Sequence, residues 1–525
     1  MRDFHFPGRS PVMAVNGMCA TSTPLAAEVA VNILRQGGNA MDAAIAGAVL
    51  LGICEPASTG IGGDCFTLMS PAGSDEVFAF NGSGRAPRAA SAADLRAKGL
   101  AAVPLFDVDA VTVPGAIDGF CTLSDQYGKL GIADSLAPAI HYAEAGVPVG
   151  PRSAFDWKLC ENVLKGHARR HYLTNDKPLT KGDLFRAPGQ AEVLRRVSAQ
   201  GRDAFYTGEI AEDMVTTLRA LGGVHTMEDF DATAGNETTP IGGTYKGAEL
   251  LEHPPNGQGA TAILLLNILK HFNIAGMDPF GTERTHIEAE AAKLAYDARD
   301  RLIADADATT RTAHMLSPDT AEKLAALIDP KRAMGAVAPR TEAVHKDTVY
   351  LSVVDKDGMS VSMIYSIFYG FGSGIASDKF GILMQNRGGG FTLQDGHPNE
   401  MKGGKRPMHT IIPGMVRREG RVEMPFGVMG GHYQPNGHAR VLSNMEDFGM
   451  DPQTALDSPR SFAEDGDLKL ERGYSDAVKQ ELADMGHNVV VPDAPIGGAQ
   501  AIRIHKNGVL EGASDPRKDG AAIGY

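Results

Sequence analysis

Thr348-Val-Tyr-Leu-Ser-Val-Val-Asp355, Lys356-Asp357-Gly358 and Met359-Ser-Val-Ser-Met-Ile-Tyr-Ser366 follow one another without interruption. Two β-rich runs joined by a Lys-Asp-Gly turn predict a buried antiparallel hairpin. Downstream, strands are expected at Gly381 to Gln385, Met415 to Arg417, Glu423 to Val428 and Ala501 to His505, with helices at Pro452 to Leu456 and Ser475 to Met485. Upstream, residues 90 to 340 alternate helical patterns with loops. Helices before and after a set of antiparallel strands predict a layered α+β architecture with helices on both outer faces.

Nearer the N-terminus, Thr23-Pro24 sets an N-cap residue before an N1 proline, Leu25 to Arg35 is strongly helical, and Gly37-Gly38 supplies a stop. Met41 to Leu51 is Ala-rich and apolar on nearly every side, as a helix buried deep in the core would be. In Ser58-Thr59-Gly60-Ile61-Gly62-Gly63-Asp64 the close-spaced glycines either take positive φ or press against another element, and no Lys-Ser/Thr follows to make a phosphate loop. Short strands at Phe66 to Met69 and Val77 to Phe80 flank a Pro-Ala-Gly turn.

The length of 525 residues gives a soft prior of roughly three to four domains. With 43% hydrophobic and 22% charged residues and a mean hydropathy of −0.15, the composition is that of a globular chain able to bury a large core. A net charge of −14 with no local basic run makes nucleic acid and anionic membrane surfaces poor partners. The longest apolar run, Ala43 to Cys54, is well short of the roughly 20 residues of a membrane span, and no signal peptide is legible, so a cytoplasmic location follows by default. Five cysteines without a CxxC pair argue for reduced thiols. His167 and His171 have helical spacing but lack the Glu of HExxH, so no metal site and no cofactor is expected. The sequons at Asn81 and Asn236 are chance matches without export.

The chemistry concentrates at the head of the hairpin. If the peptide bond before Thr348 were broken, its free α-amine would lie about one hydrogen bond from its own hydroxyl and could act as general base, making one residue both nucleophile and base. The plain alternative is a β-branched strand residue. Farther on, Phe426-Gly-Val-Met-Gly-Gly431-His432 is an apolar strand ending in two glycines, whose unobstructed N–H groups could stabilise an oxyanion or simply form a turn. Gly370-Phe-Gly-Ser-Gly374 lacks the strand, helix and acidic residue of a dinucleotide fingerprint.

These residues, with others in order, resemble the gamma-glutamyltransferase family of N-terminal-nucleophile hydrolases. The likeness runs through Gly37-Gly-Asn-Ala-Met-Asp-Ala-Ala44, Glu55-Pro56 with Gly60-Ile-Gly-Gly63, Thr112-Val-Pro-Gly115 and Asp203-Ala-Phe-Tyr-Thr-Gly208. It continues through Thr348 with Ser352-Val-Val-Asp355, Gly381-Ile-Leu383, Lys405-Arg-Pro407, Gly430-Gly431 and Gly512-Ala-Ser-Asp-Pro516. The resemblance implies a four-layer αββα fold and a precursor that cuts itself between Asp347 and Thr348. Residues 1–347 and 348–525 would then stay together as an obligate heterodimer forming one αββα domain, with further dimerisation left open. It also implies Thr348 as nucleophile, Ser366 as a hydroxyl that orients it where relatives commonly have Thr, and Gly430 and Gly431 as the oxyanion hole.

The specificity positions depart from the glutathione-acting members of that family. Those hold the glutamyl α-carboxylate with an Arg and paired serines, and the α-amino group with an Asn and an Asp. Here the Arg position is Ser83, two residues before Arg85, the serines are His409-Thr410, the Asn is Phe368, and the Asp is Gly390. No carboxylate or amide remains to receive an ammonium ion, which would cost several kcal/mol to leave unpaired. Arg85, Phe368, Tyr369, Arg387 and His409, with Thr410, form instead a cationic and aromatic set suited to an anionic acyl group. The family resemblance offers oxamate and glutaryl-cephalosporin amidohydrolases as precedents, and the expectation favours a small dicarboxylic monoamide such as oxamate. A glutathione hydrolase or gamma-glutamyltransferase with a differently built pocket, and an unprocessed homologue acting only in binding or structure, are the alternatives.

Overall fold

The computed structural model describes residue 5, residues 8–335 and residues 348–525. At its centre the expected hairpin is present, with strands Val349–Val354 and Ser360–Ser366 paired antiparallel, Val349 opposite Tyr365 and Val354 opposite Ser360. The turn forms because the Asp355 carboxylate accepts the N–H groups of Asp357 and Met359, both at 3.0 Å, while Gly358 takes the φ of +89° that closes it. The other Asp355 oxygen accepts the Ala40 N–H at 2.9 Å and docks the turn on the start of helix Ala40–Cys54.

Two seven-stranded sheets with antiparallel pairing throughout build the middle of the molecule. One carries the hairpin at its centre, flanked by Met18–Thr21 and Asp64–Ser70. The other runs outward from Arg421–Met429 to Gly414–Arg418 and Ala248–Glu252 on one side and to Gly498–Ile504 and Leu510–Ser514 on the other. The facing layers interlock through Phe66, Tyr350 and Ile364 of the first sheet with Ile411 and Met429. Helices Pro24–Arg35, Ala40–Cys54 and Ile132–Ala145 share the core of the hairpin sheet's outer face, and Gly259–Leu269, Thr282–Leu302 and Gln434–Phe448 that of the second sheet. This is the α+β layering expected, four deep. Each sheet takes strands from both sides of residues 336–347, so the length-based prior of three to four units is not how the strands are shared out.

Helix Ala40–Cys54 is buried at every residue, as its all-round apolar sequence predicts, and starts in a reciprocal capping box between Asn39 and Asp42. Thr23 stands at the N-cap of Pro24–Arg35, but its hydroxyl donates to Glu55 at 2.7 Å instead of capping the helix. The segment Gly381 to Gln385 is a correction. It forms no strand, only a bridge from Leu383 to Ala376, because Gln385 N–H bonds to the Gly62 carbonyl and Met384 N–H to Ile375. Among the described residues no helix is long and apolar enough to cross a membrane.

Candidate active site

The hairpin register continued by one residue sets Thr348 across from Ser366, and Thr348 Oγ1 lies 3.3 Å from Ser366 Oγ. Both residues are buried. Ser366 Oγ also receives the Phe368 N–H at 2.9 Å and Arg387 Nη2 at 3.2 Å. Thr348 Oγ1 donates to the same oxygen, so three donors converge on the Ser366 hydroxyl and hold the threonine hydroxyl against it. The Phe368 bond needs a sharp turn straight after the strand, and Phe368 accordingly sits at φ +83°. A bulky residue in that region is strained by roughly 1–3 kcal/mol, so its neighbours must hold it there.

Part of that support is the glycine-rich loop, and it works by close approach. A Cβ on Gly63 would stand 2.3 Å from the Ser366 carbonyl oxygen, and one on Gly62 would stand 2.1 Å from that of Leu383. Neither glycine has positive φ, which resolves the two readings open from sequence.

Arg387 is fully buried in the turn Arg387–Gly390. Its Nη1 donates to Thr410 Oγ1 at 2.8 Å, Nη2 to Ser366, and the guanidinium lies 4.2 Å over the Phe368 ring. Nε meets no acceptor among the described residues. Burial pulls this arginine down to about 9, opposed by the Asp64 carboxylate, so it remains a cation at neutral pH. A buried cation touching only hydroxyls and a ring, one hydroxyl away from the threonine, is electrostatically incomplete. Tyr369 closes the side, its ring edge-on to Phe368 at 4.4 Å and its N–H bonded to Asn386 Oδ1 at 3.2 Å.

Two sequence-derived members behave differently from expectation. His409 Nδ1 accepts the Ile411 N–H at 3.3 Å, so Nε2 carries the hydrogen and donates it to Asp64 Oδ2 at 3.1 Å. Burial and the adjacent Arg387 push His409 down to about 3. It is a neutral spacer, not a positive or switchable charge. Asp64 is spent as well, accepting also from Gly84 and Gly115 N–H and from Gln385 Nε2. Arg85 is half-exposed and bonds Asp305 at 3.3 Å and the Gly404 carbonyl at 3.0 Å; no hydrogen bond joins it to the Thr348 cluster among the described residues. Arg387, not Arg85, is therefore the cation joined to the Thr348 cluster. Asp347 lies outside the described residues.

Gly430 and Gly431 follow strand Arg421–Met429 with φ +117° and +58°, conformations that favour glycine. The Gly430 position is also tight, since a Cβ there would approach Gly497 Cα to 2.9 Å. Gln258, a residue sequence reading did not single out, ties this turn to the Arg387 side: its Nε2 donates to the Gly431 and Thr410 carbonyls at 3.0 and 2.6 Å. Arg299 fixes Gln258 through Oε1 at 2.7 Å and lies 3.0 Å from His432 Nδ1. A cavity of about 370 Å³ opens beside this turn, lined in part by Tyr296, Arg299, His397, His432 and Phe462.

The gamma-glutamyltranspeptidase family model matches residues 26–525, nearly the whole chain. The chain belongs to the gamma-glutamyltranspeptidase family. Among relatives of this family, the glutathione hydrolase-like YwrD proenzyme of Bacillus subtilis is 35% identical, covering 98% of this chain and 99% of its own length. The oxamate amidohydrolase proenzyme of Klebsiella pneumoniae is 34% identical over the same shares. Among solved structures, the cephalosporin acylase from Bacillus halodurans superposes with a TM-score of 0.93 at 37% identity, covering 100% of this chain and 99% of that one. Membership makes this chain a hydrolase or acyltransferase of the gamma-glutamyltranspeptidase type with the family's α+β fold.

Two buried histidines, His409 of the site and His253 of the core beside it, give stability a dependence on pH. Burial holds His409 down to about 3 and His253, stacked on Phe66 at 4.0 Å, down to about 4. The unfolded chain protonates both below about 6.5 while the folded chain does not, so this contribution is complete above about pH 6.5 and is lost as pH falls toward 4. Melting temperatures should drop steadily from pH 7 to pH 4. His253→Phe, which keeps the stack, should show a shallower decline, and an unchanged slope in that variant would contradict the assignment.

Proposed function

We propose that this protein is an autoprocessed threonine amidohydrolase that cleaves the amide of a small anionic acyl group, with oxamate or a close analogue as substrate, through an acyl-threonine intermediate. Cleavage before Thr348 would free its α-amine to take the Oγ1 proton as Oγ1 attacks the amide carbonyl. The N–H groups of Gly430 and Gly431 would receive the oxyanion, the amine would leave with the proton from the α-ammonium, and water would then hydrolyse the ester. Residues 1–347 and 348–525 would remain together as an obligate heterodimer. The proenzyme names of the relatives support the processing step.

Arg387 carries the substrate reading. An oxamyl group has its carboxylate bonded directly to the carbonyl under attack, which suits a cation one hydroxyl from the nucleophile. A glutaryl carboxylate sits three methylenes farther away and calls for a cation farther out. Phe368 and Gly390 offer no acceptor side chain for an α-ammonium, and Asp64 is committed to His409, Gln385 and two backbone amides. The test is a panel of amide donors on purified protein. Oxamate should be turned over with higher kcat/KM than glutaryl amides or gamma-glutamyl anilide, and preference for a glutaryl amide would move the carboxylate partner away from Arg387.

The oxyanion assignment has its own test. Gly431→Val places a β-branched residue at φ +58° and crowds the approach to the two N–H groups. Loss of one such donor costs roughly a hundredfold to a thousandfold in kcat. A folded variant with near-normal kcat would place the oxyanion hole elsewhere.

A further inference from the structure

His286 and Glu290 stand one turn apart on helix Thr282–Leu302, and His487 follows helix Asp476–Asp484. One nitrogen of each imidazole and a carboxylate oxygen of Glu290 all lie within 4.8 Å of one another. His286 Nε2 is 2.8 Å from the Asp329 carbonyl, which can only accept, so Nε2 holds the hydrogen and Nδ1 presents a lone pair inward. That lone pair faces His487 Nε2 at 2.8 Å. An outer N–H fixed on a backbone carbonyl is the arrangement found behind metal-ligating imidazoles. Glu290 is fixed as well, one oxygen accepting Lys293 Nζ at 2.6 Å and the other the Met334 N–H at 2.7 Å, so each oxygen keeps a second lone pair.

We propose that His286, Glu290 and His487 form a zinc site. Two imidazoles and a carboxylate are a common zinc donor set, with a fourth position for water. Lys293 offsets the charge of Glu290, which disfavours calcium and magnesium, ions that depend on carboxylate and other oxygen ligands. Around a tetrahedral ion with bonds near 2.0–2.1 Å the two nitrogens stand about 3.3 Å apart, so binding widens the pair by about half an ångström. His487 then moves its hydrogen from Nε2 to Nδ1, with no net proton released. His286 and Glu290 are fully buried while His487 keeps 7% exposure, which gives the ion its way in. Two ligands precede residues 336–347 and one follows them, so the ion ties together the segments on either side, and would join two separate chains once the bond before Thr348 is cut.

The experiment strips purified full-length protein with a chelator and titrates it with Zn²⁺ and, separately, Co²⁺. The proposal expects one ion per chain, the intense visible absorption of four-coordinate Co²⁺, and a higher melting temperature with Zn²⁺. His286→Gln and His487→Gln should each weaken Zn²⁺ at least about a hundredfold, beyond the ten- to hundredfold seen for loss of outer-sphere partners. Absence of one-to-one uptake by the wild type overturns the site, as does wild-type affinity in either variant. Should a variant fail to fold, the wild-type Co²⁺ spectrum decides alone, because weak six-coordinate absorption contradicts the four-coordinate site proposed.

Discussion

Thr348→Ala protein should run as a single full-length band on a denaturing gel and hydrolyse no amide, while the wild type gives two bands of about two thirds and one third of the chain. The variant removes the hydroxyl that lies 3.3 Å from Ser366 Oγ, together with the Cγ2 methyl. That hydroxyl has two roles in the proposal, attack on the preceding carbonyl during maturation and attack on substrate afterwards, so both outcomes should fail together. Loss of a catalytic nucleophile elsewhere costs on the order of 10⁴- to 10⁶-fold in kcat. Thr348→Ser should keep both activities at a reduced level, because the hydroxyl and α-amine persist. A cleaved Thr348→Ala, or an active wild type that stays in one piece, contradicts the role given to this residue.

Arg387 should produce the second largest effect. Arg387→Lys keeps a charge but loses the planar fork that reaches Thr410 and Ser366 together, and Arg387→Met removes the charge. Truncating one partner of a buried charge-assisted contact costs about 2–5 kcal/mol, or roughly 30- to several thousandfold in kcat/KM for oxamate. Neutral amides such as acetamide should be affected far less by Arg387→Met, provided a two-band gel and an unchanged melting temperature show that the variant matures and folds. Equal losses on anionic and neutral amides would reduce Arg387 to holding Ser366 in place.

The hairpin was legible because alternation, β-branched residues and a Lys-Asp-Gly turn all agree within a single short stretch. The strand pair Ile241–Tyr245 and Ala248–Glu252 was not, since Gly242 and Gly243 break the pattern and one half of the first strand faces outward. Thr348 stands out by its place at the head of that hairpin, whereas Ser366 comes only from the family resemblance. Arg387 and Thr410 were found by position, and the hydrogen bonds now give them geometry. His409 and Arg85 were misjudged for one shared reason. Charge at a site depends on what a side chain is bonded to, and neither the Asp64 partner of His409 nor the Asp305 partner of Arg85 is adjacent in sequence. Gln258 was missed because a lone polar residue in a Pro-Asn-Gly-Gln loop gives no sign that it joins Gly431 to Thr410.

The most direct test of the account is the ratio of kcat/KM for oxamate to that for gamma-glutamyl anilide, measured on the same preparation of wild-type protein. A buried cation beside the nucleophile, Phe368 and Gly390 without acceptor side chains, and an Asp64 carboxylate already committed predict a ratio of about ten or more in favour of oxamate, a preference of roughly 1.4 kcal/mol in the transition state. A ratio inverted by the same factor, with gamma-glutamyl anilide the better donor, would contradict the charge argument and make the protein a glutathione hydrolase or gamma-glutamyltransferase with an unfamiliar donor pocket.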